Sequence, residues 1–205
     1  MAQVNINKFG VPVGTEEGST LMPKLQYRFR VTFSGLGGET NSNIVTRNVV
    51  SVTRPSLEHD DVTIDAYNSK IRMAGKHTWQ DVSLVIRDDV TSKVVTSLGK
   101  QLNEQLDHAN QSAPTAGSDY KFGMSIEMLD GSNDGGPGSV IDAWHMTGCF
   151  IPSIQYGDLN YATSEVVQVT VSIRYDNAEH TVGRGGEKLL SGAVLGDSVT
   201  ATRES

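Results

Sequence analysis

Alternation of apolar and polar side chains at every second residue dominates this chain, the pattern that sends apolar groups to one face of a strand. Leu25, Tyr27, Phe29, Val31 and Phe33 alternate with Gln26, Arg28, Arg30 and Thr32. Tyr120, Phe122, Met124, Ile126 and Met128 alternate with Lys121, Ser125 and Glu127. Val167, Val169, Val171, Ile173 and Tyr175 alternate with Gln168, Thr170, Ser172 and Arg174. Shorter runs pass through Val82, Leu84 and Ile86, and through Trp144, Met146, Gly148 and Phe150. Residues 44–54 and 62–66, rich in Val, Ile and Thr, predict further strands. One polar and one apolar face per strand implies antiparallel sheet with a wet side.

A different period interrupts this pattern once. Val90, Val94, Val95, Leu98, Leu102 and Leu106 form an apolar stripe at helical spacing and predict a helix over about 89–110. Asp88 and Asp89 precede it and suit free backbone N–H groups at a helix start. Gly99 costs about 1 kcal/mol in a helix interior, so a close contact is expected there. Pro114 and Gly117 end the element. The fold class is therefore mainly β, an antiparallel sandwich or barrel-like domain over 24–176 with one packed α-helix. Long polar connections lie at 34–43 and 130–139. Residues 1–23 and 177–205 lack periodicity and predict extended N- and C-terminal arms. Val11, Val13 and Leu21 in one, and Leu189, Leu190, Val194 and Leu195 in the other, suit segments that order on a neighbouring subunit, with frayed termini as the alternative.

Composition narrows the class. The 205 residues carry 17 basic and 24 acidic side chains, a net charge of −7, which argues against a protein that grips nucleic acid. Cys149 has no second cysteine, so a disulfide scaffold is excluded. No apolar run approaches the ~20 residues of a membrane-spanning helix. MAQVNINKFG at the start lacks the form of a secretory signal, and a reducing cytoplasm is expected at least at first.

The sequence carries no pattern of catalytic or metal-binding residues. His59, His77, His108, His145 and His180 are dispersed, with no pair at helical spacing and no cysteine pair to complete a zinc site. Cys149 has no basic neighbour in sequence to lower its pKa and reads as a buried side chain. Asp130, Ser132, Asp134 and Gly135 partly match a calcium loop, but Ile141 stands where a bidentate Glu is needed. No nucleophile elbow and no phosphate-binding loop is present. The expectation is a non-enzyme with no metal or cofactor.

Two segments carry a recognisable pattern. VTRPSLEHDDVTIDAYNSKIRMAGKHTWQDVSLVIRDDV (52–90) runs from a strand through an acidic extension to KIRMAGKHTWQD, a strand and a helix start. WHMTGCFIPSIQYGDLNYATSEVVQVTVSIRYDN (144–177) runs from a strand through a polar turn to a long closing strand. With MPKLQYRFRVTF at 22–33 as a first strand, this order resembles the tail tube proteins of contractile-tailed bacteriophages, over about residues 20–177.

The resemblance implies hexameric rings whose strands join around a lumen and which stack into a tube. It also implies the partners: the tail sheath protein, the tape-measure protein, baseplate and tail terminator proteins, and DNA passing through without sticking. Such a protein is assembled in the host bacterial cytoplasm and resides in the virion. The extension at 57–76 is then the candidate for stacking between rings, with Glu58, Asp60, Asp61, Lys70, Arg72 and Lys76 as its mixed charges. Arg28, Arg30, Gln168 and Arg174 are candidates for lumen or inter-subunit polar contacts. A secretion-system or bacteriocin tube is the alternative on the same fold. A carbohydrate-binding β-sandwich is the alternative of another class, with only Trp79 and Trp144 to serve as a platform.

Overall fold

The computed structural model describes residues 23–38, 43–132, 139–183 and 187–190. In chain order these hold β1 (Phe29–Ser34), α1 (Asn43–Asn48), β2 (Val49–Val52), β3 (Leu57–Ala66), β4 (Ser69–Trp79), β5 (Val82–Arg87), α2 (Lys93–Gln105), β6 (Phe122–Leu129), β7 (Val140–Tyr156), β8 (Gln168–Arg174), β9 (Asn177–Val182) and β10 (Glu187–Leu190). The fold is mainly antiparallel β with one main helix, as the alternation predicts. Burial recurs at every second residue through Val82, Leu84 and Ile86 of β5, Phe122, Met124 and Ile126 of β6, and Val169, Val171 and Ile173 of β8. Full burial of such side chains contributes about 1.5–3 kcal/mol each.

Eight strands form one sheet in the order β1-β6-β7-β8-β5-β2, with β9 paired to β7 and β10 paired to β9. β7 belongs to two halves of this sheet. Its first part sets Met146 opposite Met124 of β6 and opposite Ala178 of β9. Its last part sets Ile154 opposite Val171 of β8. The register shifts between Phe150 and Ser153, and Gly148 just before it has φ +69°. Both halves give side chains to one core, which α2 joins through Val94 and Leu98 alongside Leu36 and Val45.

Two glutamines of α2 hold this end of the core. The Gly37 N–H donates to Gln101 Oε1 at 2.9 Å, while Gln101 Nε2 donates to the Tyr120 carbonyl at 2.6 Å. Gln105 meets both backbone groups of Ile151, at 2.9 Å each, where β7 passes between its strand partners. A side-chain amide there stands in for a missing strand.

Four expectations are corrected. Residues 44–54 are not one strand: α1 takes 43–48 and only Val49–Val52 extend, because Val45 is buried while Arg47, which a strand would turn to the same side, is exposed. The helix is shorter than 89–110. Val90 is fully exposed, and the Asp89 carboxylate accepts from the Thr91 amide and hydroxyl, which makes a turn that keeps Val90 out of the stripe. Gly99 marks no close contact, since a Cβ there would meet nothing within 4 Å. The domain also runs past 176: Ala178 of β9 is buried in the core, and β10 carries the sheet to Leu190. The reading of 177–205 as an arm fails up to there, because Ala178 alone turns inward on β9 and no alternation announces the strand. Residues 1–22 and 191–205, and most of the calcium-like loop at 133–138, lie outside the described residues.

Candidate assembly interface

β3 and β4 form a two-stranded hairpin separate from the main sheet, with Asp65 opposite Lys70 and Ala66 opposite Ser69 at its end. Nearly every residue of it is exposed. Its apolar residues nevertheless share one face: Val62 opposes Met73 and Ile64 opposes Ile71, each 45–54% exposed. The other face carries Asp61, Thr63, Asp65, Lys70 and Arg72, as a side-chain period of two requires. A row of contacting rings roots the hairpin: His59 to His77 at 6.1 Å, His77 to Trp79 at 6.2 Å, and Trp79 to Tyr175 at 5.6 Å between centroids.

All six stacking candidates thus fall on one element. Lys70 pairs with Asp65 at 3.5 Å and Arg72 with Asp61 at 3.4 Å, both well exposed and so worth about 0–1 kcal/mol each. Glu58 accepts from Gln80 Nε2 at 3.0 Å. Among the described residues Asp60 and Lys76 have no ion-pair partner. The four polar-face candidates are not brought together. Arg28 donates to the Asp130 carbonyl and Arg30 pairs with Glu127, both at 2.7 Å, whereas Arg174 is held by Asp81 at 2.8 Å and Gln168 is exposed at the start of β8. Three of the four are engaged within the chain itself.

The polar side of β8 that holds Gln168 and Arg174 continues across its neighbours as the outer side of β5, β8 and β7. Ser83, Ser172 and Ser153 sit in one row and Val85, Thr170 and Gln155 in the next, with charge toward the strand ends at Arg87, Arg174 and Asp81. Further exposed apolar side chains lie at the end of β7 and in the segment after it: Tyr156, Leu159, Tyr161, Val166 and Val167. A concave groove of about 840 Å³ runs between β1 and β2, with Phe29, Val31, Val49, Val52, Ile126 and Met128 in it and Arg30, Arg47, Arg54 and Arg87 around it.

The remaining chemistry is structural. Among the described residues no cluster of three or more His, Cys, Asp or Glu could hold a metal. Cys149 is buried, and burial pushes its thiol up to about 12, so it stays a protonated core group at neutral pH. Trp144 stacks on His180 at 4.1 Å and 6°, and Trp79 packs against Tyr175, so both indoles are occupied within the fold.

Asp142, 5% exposed, contacts His180 Nε2 at 2.6 Å and accepts from Lys24 Nζ at 2.9 Å. Burial pushes its carboxyl up, but the hydrogen bonds from Lys24 and His180 with their charges outweigh this and hold it below its ordinary value. A depressed folded-state pKa contributes stability that is present above the unfolded value, about 3.9, and lost as pH falls through the folded one. Asp142→Asn is therefore expected to lower urea-unfolding stability at pH 7 and to lose most of that deficit below about pH 4. An equal deficit at both pH values would contradict this role.

No family model matches the chain, and no curated protein matches it in sequence. Solved structures do match in fold. A chain of the tube-terminating cap of the anti-feeding prophage superposes with a TM-score of 0.61 at 12% identity, over 82% of this chain and 97% of its own. A chain of the extended sheath–tube complex of an extracellular contractile injection system gives 0.54 at 13% identity, over 78% and 92%. The SPP1 tail tube gives 0.51 at 10% identity, over 78% and 80%. This chain has the tail tube fold.

Proposed function

We propose that the protein is a non-enzymatic structural subunit that forms hexameric rings and stacks them into the inner tube of a contractile phage tail, the channel for genome ejection. The observation that carries this reading is the β3–β4 hairpin. A free two-stranded hairpin is at best marginally stable in water, and this one keeps an uncovered apolar face on a protein that is only 37% hydrophobic. Covering the exposed halves of Val62, Ile64, Ile71 and Met73 would contribute about 1 kcal/mol each. Six such contacts per ring would turn a weak pairwise contact into a stable stack.

The sheath, tape-measure, baseplate and terminator proteins are the partners this role implies, and the virion is its place. An acidic subunit, net −7, suits a channel through which DNA slides without sticking. The hydroxyl face of β5, β8 and β7 is the smoothest candidate for lining it. A second reading, a ring that caps a tube without extending it, is favoured by the likeness to the prophage cap.

Electron microscopy of the purified protein tests these together. Tubes are expected, and replacing 58–69 by a short turn should leave rings that no longer stack. Single rings from the intact chain would favour the cap, and a monomer at high concentration would overturn both readings.

A further inference from the structure

The groove between β1 and β2 is lined by four arginines and no acidic residue, on a protein of net charge −7. Arg47, Arg54 and Arg87 are exposed around it, and none makes an ion pair among the described residues. Arg30, beside them, is engaged by Glu127. Between them lie the half-buried Phe29, Val49 and Val52, with Tyr27 71% exposed at the mouth. β1 and β2 are the two ends of the sheet path, so the groove is flanked by strand edges with no further strand among the described residues. Three unneutralised arginines above apolar side chains ask for an occupant that is acidic and apolar at once. A nucleic-acid backbone would satisfy the arginines and leave Phe29, Val49 and Val52 uncovered.

We infer that the groove receives the β3–β4 hairpin of a second copy of this chain, with hairpin acids on the arginines and Val62, Ile64, Ile71 and Met73 over the apolar side chains. The hairpin has both halves of the match. Glu58 and Asp60 continue the Val62 and Ile64 side of β3 at every second residue; Asp60 has no cation partner among the described residues and Glu58 has only Gln80. Its apolar face is not covered within its own subunit. Because groove and hairpin are different surfaces, the contact is head-to-tail, the kind that repeats without closing on a pair. The inference rests on the tube reading and names the receiving surface within it.

The test is charge reversal and its rescue. The variant Arg47→Glu, Arg54→Glu, Arg87→Glu is expected to form rings but to elongate into tubes at least ~10-fold less than the intact chain, since each lost contact recurs around the ring. Adding Glu58→Arg and Asp60→Arg to the same chain should restore elongation. Independently, an Ile64→Cys chain mixed with a Ser51→Cys chain should give heterodimers with a short bis-maleimide in tubes and none in dispersed subunits, because buried Cys149 does not compete. An intact chain that forms no tubes overturns the tube reading and this inference with it. Intact tubes overturn the inference alone if the triple variant elongates normally or is not rescued, or if the two cysteine chains give no cross-link. Normal elongation with lost retention of duplex DNA would assign the arginines to nucleic acid, which also overturns it.

Discussion

Replacing Gly148 by alanine is expected to destabilise the subunit by about 2–5 kcal/mol, a large part of the 5–15 kcal/mol that holds a typical domain folded. Two costs add. Gly148 sits at φ +69°, where a side chain costs about 1–2 kcal/mol. A Cβ there would also overlap the carboxylate of Asp176, which is paired with Lys121 and whose own amide donates to the Thr147 carbonyl at 3.1 Å. The carboxylate cannot swing away without giving up Lys121, so overpacking adds about 1–3 kcal/mol. Gly183 separates the two costs. It has φ +81° but nothing within 4 Å of a built Cβ, so Gly183→Ala should show the backbone cost alone. Urea unfolding at low protein concentration measures both variants. Equal losses at the two positions would mean that the crowding at the bend is not there. Adding Asp176→Ala to Gly148→Ala should recover part of the loss if it is.

That bend separates what the sequence discloses from what it hides. The β5, β6 and β8 strands are legible because each has one dry and one wet face, and burial follows the alternation residue by residue. β7 is only half legible. Trp144, Met146, Gly148 and Phe150 alternate, but the strand continues to Tyr156 through Pro152 and changes partners on the way. A strand that serves two halves of a sheet turns different sides to the core before and after the switch, and alternation cannot survive that. β9 escaped notice for a related reason: only Ala178 of Asn177–Val182 is buried, while His180 and Thr181 spend their contacts on Asp142 and the Ala143 carbonyl. The hairpin acids and cations were legible as a mixed group because they are consecutive in the chain. The arginine groove was not, since Arg47, Arg54 and Arg87 come from α1, the segment after β2, and the end of β5, and meet only when β2 and β5 pair.

Gln101→Leu is expected to cost about 2–5 kcal/mol, although it replaces a polar residue in a helix by a better core former. Gln101 is fully buried, between Leu98 and Leu102 in sequence, where the apolar stripe of α2 would accept a leucine readily. The penalty comes from its partners. The Gly37 N–H and the Tyr120 carbonyl would both lose their acceptor or donor, and an orphaned buried backbone group costs about 1–3 kcal/mol. These two contacts tie the turn at 36–38 and the entry to β6 onto the same helix, so the loss falls on the packing of three elements at once. Asn103→Leu, an exposed position on the same helix, should stay within about 0.5 kcal/mol of the unchanged chain. For a domain of this size the expected deficit at Gln101 corresponds to roughly 5–15 °C in Tm. If Gln101→Leu and Asn103→Leu unfold at the same urea concentration, the amide is not the clamp described here, and hydrophobic packing alone fixes the helix on the sheet.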